Sequence, residues 1–125
     1  MAGAVAAALL LKSVFGPVAN LGATTGHGNV TPWQAFAVEA VLTVGLVNAI
    51  LGTASGARNI GANAGIAIGC YNIAAKLCAT GLTGASMNPA RSLGPDLVRG
   101  DLSTSLIYVL APLSGRPLAW DSNGY

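Results

Sequence analysis

Four polar side chains stand out because of their surroundings: Asn88, Arg91, Glu39 and Lys76 lie in or between long apolar stretches. Asn88 brings two amide N–H donors, and Arg91 a permanently charged guanidinium with five. The order Asn88-Pro89-Ala90-Arg91 reads as a helix start, because asparagine caps and proline at the first helical position sacrifices no hydrogen bond. Pro95 is expected to end that helix after about two turns. A helix N-terminus carries partial positive charge, so Asn88, Arg91 and the backbone would present donors and positive potential at one point. Such a point can hold the oxygen of a neutral polar molecule and repel cations. For Arg91, snorkelling to a surface is the alternative reading.

No comparable set supports covalent chemistry. The single histidine, His27, falls in a Gly- and Pro-rich loop, and no nucleophile–base pair or metal-ligand spacing is visible, so neither an enzyme nor a metal or organic cofactor is expected. The glycines around it lack the lysine and hydroxyl residue of a phosphate loop. Cys70 and Cys78 would lie about 12 Å apart on one helix, too far to pair, and read as small packing residues. A net charge of +2 gives no reason to expect a nucleic-acid partner.

The stretches that must position these residues are those of a membrane protein. Hydrophobic residues make up 53% and charged residues 8% of the chain, with a mean hydropathy of +0.62, whereas soluble domains carry about a quarter charged residues. A soluble helical bundle is the alternative. Residues 33–54 and 60–82 are each long enough to cross a bilayer, which takes about 20 apolar residues. Residues 1–16 are too short for that. A signal peptide is the rival reading of this segment, yet Lys12 follows the apolar run instead of preceding it. Residues 16–32 and 55–59 read as loops, with Arg58 pointing weakly to the cytoplasmic side. Trp33 suits the interfacial aromatic belt. Residues 102–120 begin as a further span that Arg116-Pro117 is expected to interrupt before a full helix forms. Glu39 is costly in hydrocarbon unless it faces the protein interior or reaches the interface. Lys76, about 9 Å from its span's end, is explained by snorkelling.

The run Gly84-Ala85-Ser86-Met87-Asn88-Pro89-Ala90-Arg91-Ser92-Leu93-Gly94-Pro95 resembles the second signature loop of the major intrinsic protein family, the aquaporins and glycerol facilitators. Val38-Glu39-Ala40-Val41-Leu42-Thr43 and Gly52-Thr53-Ala54 resemble its fourth span. The likeness covers about residues 1 to 113, the second half of such a protein. It implies an all-α transmembrane fold, a partial aquaporin-like bundle: the second inverted repeat, with a re-entrant half-helix. In those terms residues 1–16 would end the third span, 33–54 and 60–82 would be the fourth and fifth, 83–98 the re-entrant loop and half-helix, and 102–120 a truncated sixth.

The same resemblance implies a multi-pass protein of the cell membrane, assembling as a homotetramer in the bilayer and passing water or a small neutral solute. Asn88, Pro89, Ala90 and Arg91 would then line the pore. Ala85 would take a selectivity position too small to narrow it, and Glu39 would brace the re-entrant loop by accepting backbone N–H bonds. Lys76, twelve residues before Asn88, would fall on a selectivity position often held by histidine. Ser92 resembles the water-conducting branch, glycerol facilitators commonly having aspartate there. A glycerol-type facilitator and a non-conducting membrane remnant are the alternative readings.

Overall fold

The computed structural model describes residues 1–25, 29–54 and 63–122; His27 and the link carrying Arg58 lie outside them. Among the described residues five α-helices follow one another: α1 (Ala2–Phe15), α2 (Pro32–Ala54), α3 (Ala64–Thr83), α4 (Pro89–Arg99) and α5 (Ser105–Ser122). A 3-10 turn, Val18–Gly22, follows α1. Among the described residues there is no strand.

Local chemistry sets the helix ends. Thr31 and Gln34 form a reciprocal cap at the start of α2: Thr31 N–H donates to Gln34 Oε1 at 2.8 Å, and Gln34 N–H to Thr31 Oγ1 at 3.3 Å. Pro32 takes the first helical position, where its missing N–H is harmless. Asn88 caps α4 by accepting the Ala90 N–H on Oδ1 at 3.0 Å. Gly84 and Gly100, at φ 84° and 78°, end α3 and α4 in the left-handed conformation that only glycine adopts freely.

Two expectations about proline need correction. α4 does not stop at Pro95 but runs eleven residues to Arg99, about three turns. A proline within a helix removes one hydrogen bond, and here Gly100 supplies the stop. α5 likewise continues through Pro112 and Pro117, so Arg116-Pro117 does not interrupt it.

α2 is the hub, packing against α3 and α5, while α4 is held between α1 and α5. Small residues let the backbones meet. A Cβ on Gly94 of α4 would lie 2.7 Å from the Ala4 carbonyl carbon of α1, and one on Gly115 of α5 would lie 2.7 Å from the Ala40 carbonyl oxygen of α2. Gly45 of α2 leaves room for the Tyr71 phenol of α3, which donates to the Leu42 carbonyl at 2.8 Å. Such close approach suits helices packed in lipid.

Burial is inverted relative to a water-soluble domain. Glu39, Thr24, Thr43, Thr83, Ser92 and Asp96 are buried with Ala8, Ala35, Ala75, Ala79 and Ala111, while Leu77 is 83% exposed and Val41, Leu106, Ile66, Leu10 and Phe15 also face outward. Buried polar residues and large exposed apolar ones are the informative departures from ordinary surfaces. α2 and α3 are each long and apolar enough to cross a membrane. Cys70 and Cys78 are unpaired and lie on the exposed part of α3, so they are not interior packing residues. Only one side of α3 is covered.

Candidate functional site: the 84–91 loop and the start of α4

The loop between α3 and α4 has an unusual backbone. Gly84, Ala85 and Met87 all have positive φ, at 84°, 44° and 52°, and for the two non-glycine residues this costs roughly 1–2 kcal/mol each. The turn aims successive N–H groups at one acceptor, Glu39. Its carboxylate accepts from Ser86 N–H at 2.9 Å, Met87 N–H at 2.8 Å and the Thr83 hydroxyl at 2.8 Å. All three partners donate, which is the demand an ionised, acceptor-only carboxylate meets. Charge-assisted bonds of this kind contribute about 1.5–3 kcal/mol each, enough to offset the backbone strain. Glu39 is wholly buried, so it does not sit at the interface.

Further contacts hold the frame. Thr43, one turn along α2, donates to the Glu39 carbonyl at 2.8 Å. Tyr108 of α5 donates to the Thr83 carbonyl at 2.6 Å, and the Ser105 hydroxyl donates to Asp96 Oδ2 at 2.7 Å. None of these supporting residues was singled out from the sequence. Threonine and tyrosine in apolar helices were the available signal, since a buried hydroxyl must find a partner.

The capping bond orients Asn88. With Oδ1 held by the Ala90 N–H, its two Nδ2 donors point away from the helix. The residue itself borders open space. A cavity of about 600 Å3 is lined by Thr43, Leu46, Met87, Asn88, Pro112 and Arg116 among others. A second, of about 400 Å3, is lined by Ala4, Ala8, Leu21, Asn88, Arg91 and Pro95 among others. Asn88 lines both. Among the described residues no acidic side chain lines either cavity, and each has an arginine in its wall. Arg91 Nη1 is buried without a hydrogen-bond partner among the described residues. An unmet buried donor of a charged group is costly.

Of the other sequence-selected residues, Pro89 lines the larger cavity and Ala90 the smaller. Ala85 is fully buried and lines neither; it packs with Ala75, Ala79 and Met87 against Val38, Leu42, Leu46 and Tyr71. Lys76 lies exposed on α3 and lines neither cavity. Ser92 is also away from the cavities, wholly buried in a chain of hydroxyls. Among the described residues no cluster of His, Cys, Asp and Glu could hold a metal ion.

Residues 1–120 match the family described as Major intrinsic protein. The chain belongs to that family. It is 36% identical over 113 residues to Aquaporin NIP2-1 of Oryza sativa subsp. japonica, a match covering 90% of this chain and 37% of that protein. It is 38% identical over 120 residues to Aquaporin-4 of Mus musculus, covering 94% and 37% respectively. To Nodulin-26 of Glycine max it is 46% identical over 87 residues, 70% of this chain and 32% of that one. The chain therefore spans little more than a third of the length of the relatives it matches. As an all-helical member of the major intrinsic protein family, with two helices able to cross a bilayer, it is an integral membrane polypeptide.

Proposed function

We infer that this chain forms one wall of a channel that passes water, and small neutral solutes of similar polarity, across a cell membrane without covalent chemistry. The observation that carries this reading is the position of Asn88, the residue that lines both cavities. A water molecule passing from one side of Asn88 to the other accepts from Asn88 Nδ2 and from the guanidinium of Arg91, which lines the smaller cavity. Its oxygen is the accepting atom in both cases, so the donors replace part of its hydration shell. The α4 N-terminus and Arg91 place fixed positive charge on the same path, which opposes cations and hydrated protons. Glu39 acts indirectly, by holding the backbone turn that sets Asn88.

Asn88 is exposed, and a conducting pore needs a closed wall around it. We assign that closure to further polypeptide, matching the remaining length of the relatives. The test is stopped-flow osmotic shrinkage of liposomes holding this chain joined to the N-terminal half of a relative, beside liposomes holding the chain alone. Water flux well above empty liposomes from the joined protein is expected. A folded, inserted joined protein with no flux above empty liposomes would overturn the channel reading.

A further inference from the structure

We propose that Thr24, in the segment after the 3-10 turn, is a positioning residue for Asn88 and Arg91, acting through a directed chain of buried hydroxyls. The proposal rests on the reading that Asn88 and Arg91 line the conduction path. Thr24 is 1% exposed, and it touches the site in two ways. Its hydroxyl is hydrogen-bonded to the Ser92 hydroxyl. Its methyl and Cα stand against Gly84, where an added Cβ would lie 3.0 Å from Thr24 Cγ2 and 3.3 Å from its Cα. Thr24 therefore packs against both ends of the 84–92 segment.

Proton counting gives the chain a direction. Each hydroxyl has one proton to donate. Ser86 Oγ donates to the Asn88 carbonyl at 3.0 Å, so in its 2.6 Å contact with Ser92 it must accept. Ser92 has then committed its own proton to Ser86 and must accept from Thr24. The order runs Thr24 to Ser92 to Ser86 to the Asn88 carbonyl. Thr24 is the head donor. Without it, the wholly buried Ser92 oxygen loses its incoming bond, and successive bonds in such a chain weaken together. Ser86 joins this chain to the Glu39 brace, because its N–H goes to the carboxylate while its hydroxyl serves Asn88. Glu39 thus fixes the depth of the loop, and Thr24 fixes the rotation of the Asn88 peptide on which α4 and Arg91 begin.

Thr24→Val removes the hydroxyl while keeping the shape, and Thr24→Ser keeps the hydroxyl while removing the methyl. Both are to be made in the joined protein, with water and glycerol flux measured per folded channel. Losing the head bond is expected to lower water flux about fivefold and to change the water-to-glycerol ratio, with Thr24→Ser restoring the ratio. A purely structural role would scale both fluxes with the amount of folded protein and leave their ratio alone. An unchanged ratio in Thr24→Val, or a Thr24→Ser no nearer to the parent, would overturn the proposal. Should the parent pass neither solute, the channel reading fails separately. Amide exchange at residues 90–92 then decides: faster exchange in Thr24→Val than in Thr24→Ser upholds the positioning role, and equal exchange overturns it.

Discussion

Replacing Glu39 by glutamine isolates the electrostatics of the loop, because it preserves shape and changes one acceptor into a donor. In the parent, Oε1 accepts from Thr83 and Ser86, and Oε2 from Met87. If the glutamine oxygen faces Thr83 and Ser86, its NH2 confronts the Met87 N–H. If it turns round, the NH2 confronts the Ser86 N–H. Either way one backbone donor in a buried loop is orphaned, at a cost of about 1–3 kcal/mol. Ala85 and Met87 still hold positive φ, so the strain remains after part of its compensation is gone. At 1.4 kcal/mol per factor of ten, local opening of the loop should rise about 5- to 140-fold. Amide hydrogen exchange over residues 84–92, compared with exchange in α2 of the same sample, reads this directly. Protection within about twofold of the parent would refute the claim that the carboxylate holds the turn.

Other expectations follow from single contacts. Gly94→Ala would push a Cβ into the Ala4 backbone of α1 and should destabilise the α1–α4 packing by about 1–3 kcal/mol, read as a lower thermal midpoint in detergent. Tyr108→Phe removes the 2.6 Å bond to the Thr83 carbonyl and should cost about 1 kcal/mol, with faster exchange at the end of α3. Asp101, in the connection between α4 and α5, accepts from the Ser103 hydroxyl at 2.7 Å and its N–H at 3.0 Å. Those bonds, first the hydroxyl's and then the backbone's, hold its carboxyl below the ordinary value, with the Arg99 charge adding to them. A depressed carboxyl contributes stability that is present above its unfolded value and lost as pH falls through the folded one. Exchange protection of the 100–104 connection should therefore fall on acidification below the usual carboxylate range, and Asp101→Asn should flatten that dependence; an identical pH profile would contradict it.

Some of this was legible in the sequence. Asn88-Pro89 announces the start of α4 from local rules alone, and the lengths of α2 and α3 follow from apolar runs that carry a single charge each, Glu39 and Lys76. Glu39 was legible as an anomaly, a charge in one of those runs, for which the resemblance implied an acceptor of backbone N–H bonds; the carboxylate accepts two such bonds and one from the Thr83 hydroxyl. Other features depend on pairings that no local pattern encodes. Thr24 lies in an aperiodic loop and finds its partner, Ser92, 68 residues away. Tyr108 looks like any aromatic in an apolar helix until the Thr83 carbonyl is placed beneath it. The third turn of α4 was obscured by weighing Pro95 as a stop, although Gly100 was the better terminator and Asp96 makes a tertiary bond to Ser105. The reciprocal cap of Thr31 and Gln34 was readable from its spacing.

The most direct test of the central claim concerns Arg91, the fixed cation with an unmet buried donor beside Asn88. Water flux, glycerol flux and proton leak should be measured in liposomes holding the joined protein, with Arg91→Val beside the parent. The account predicts that water still passes through the variant while glycerol flux and proton leak both rise, because the guanidinium is the barrier and not the gate. Water, glycerol and proton permeabilities all equal to the parent's would contradict it.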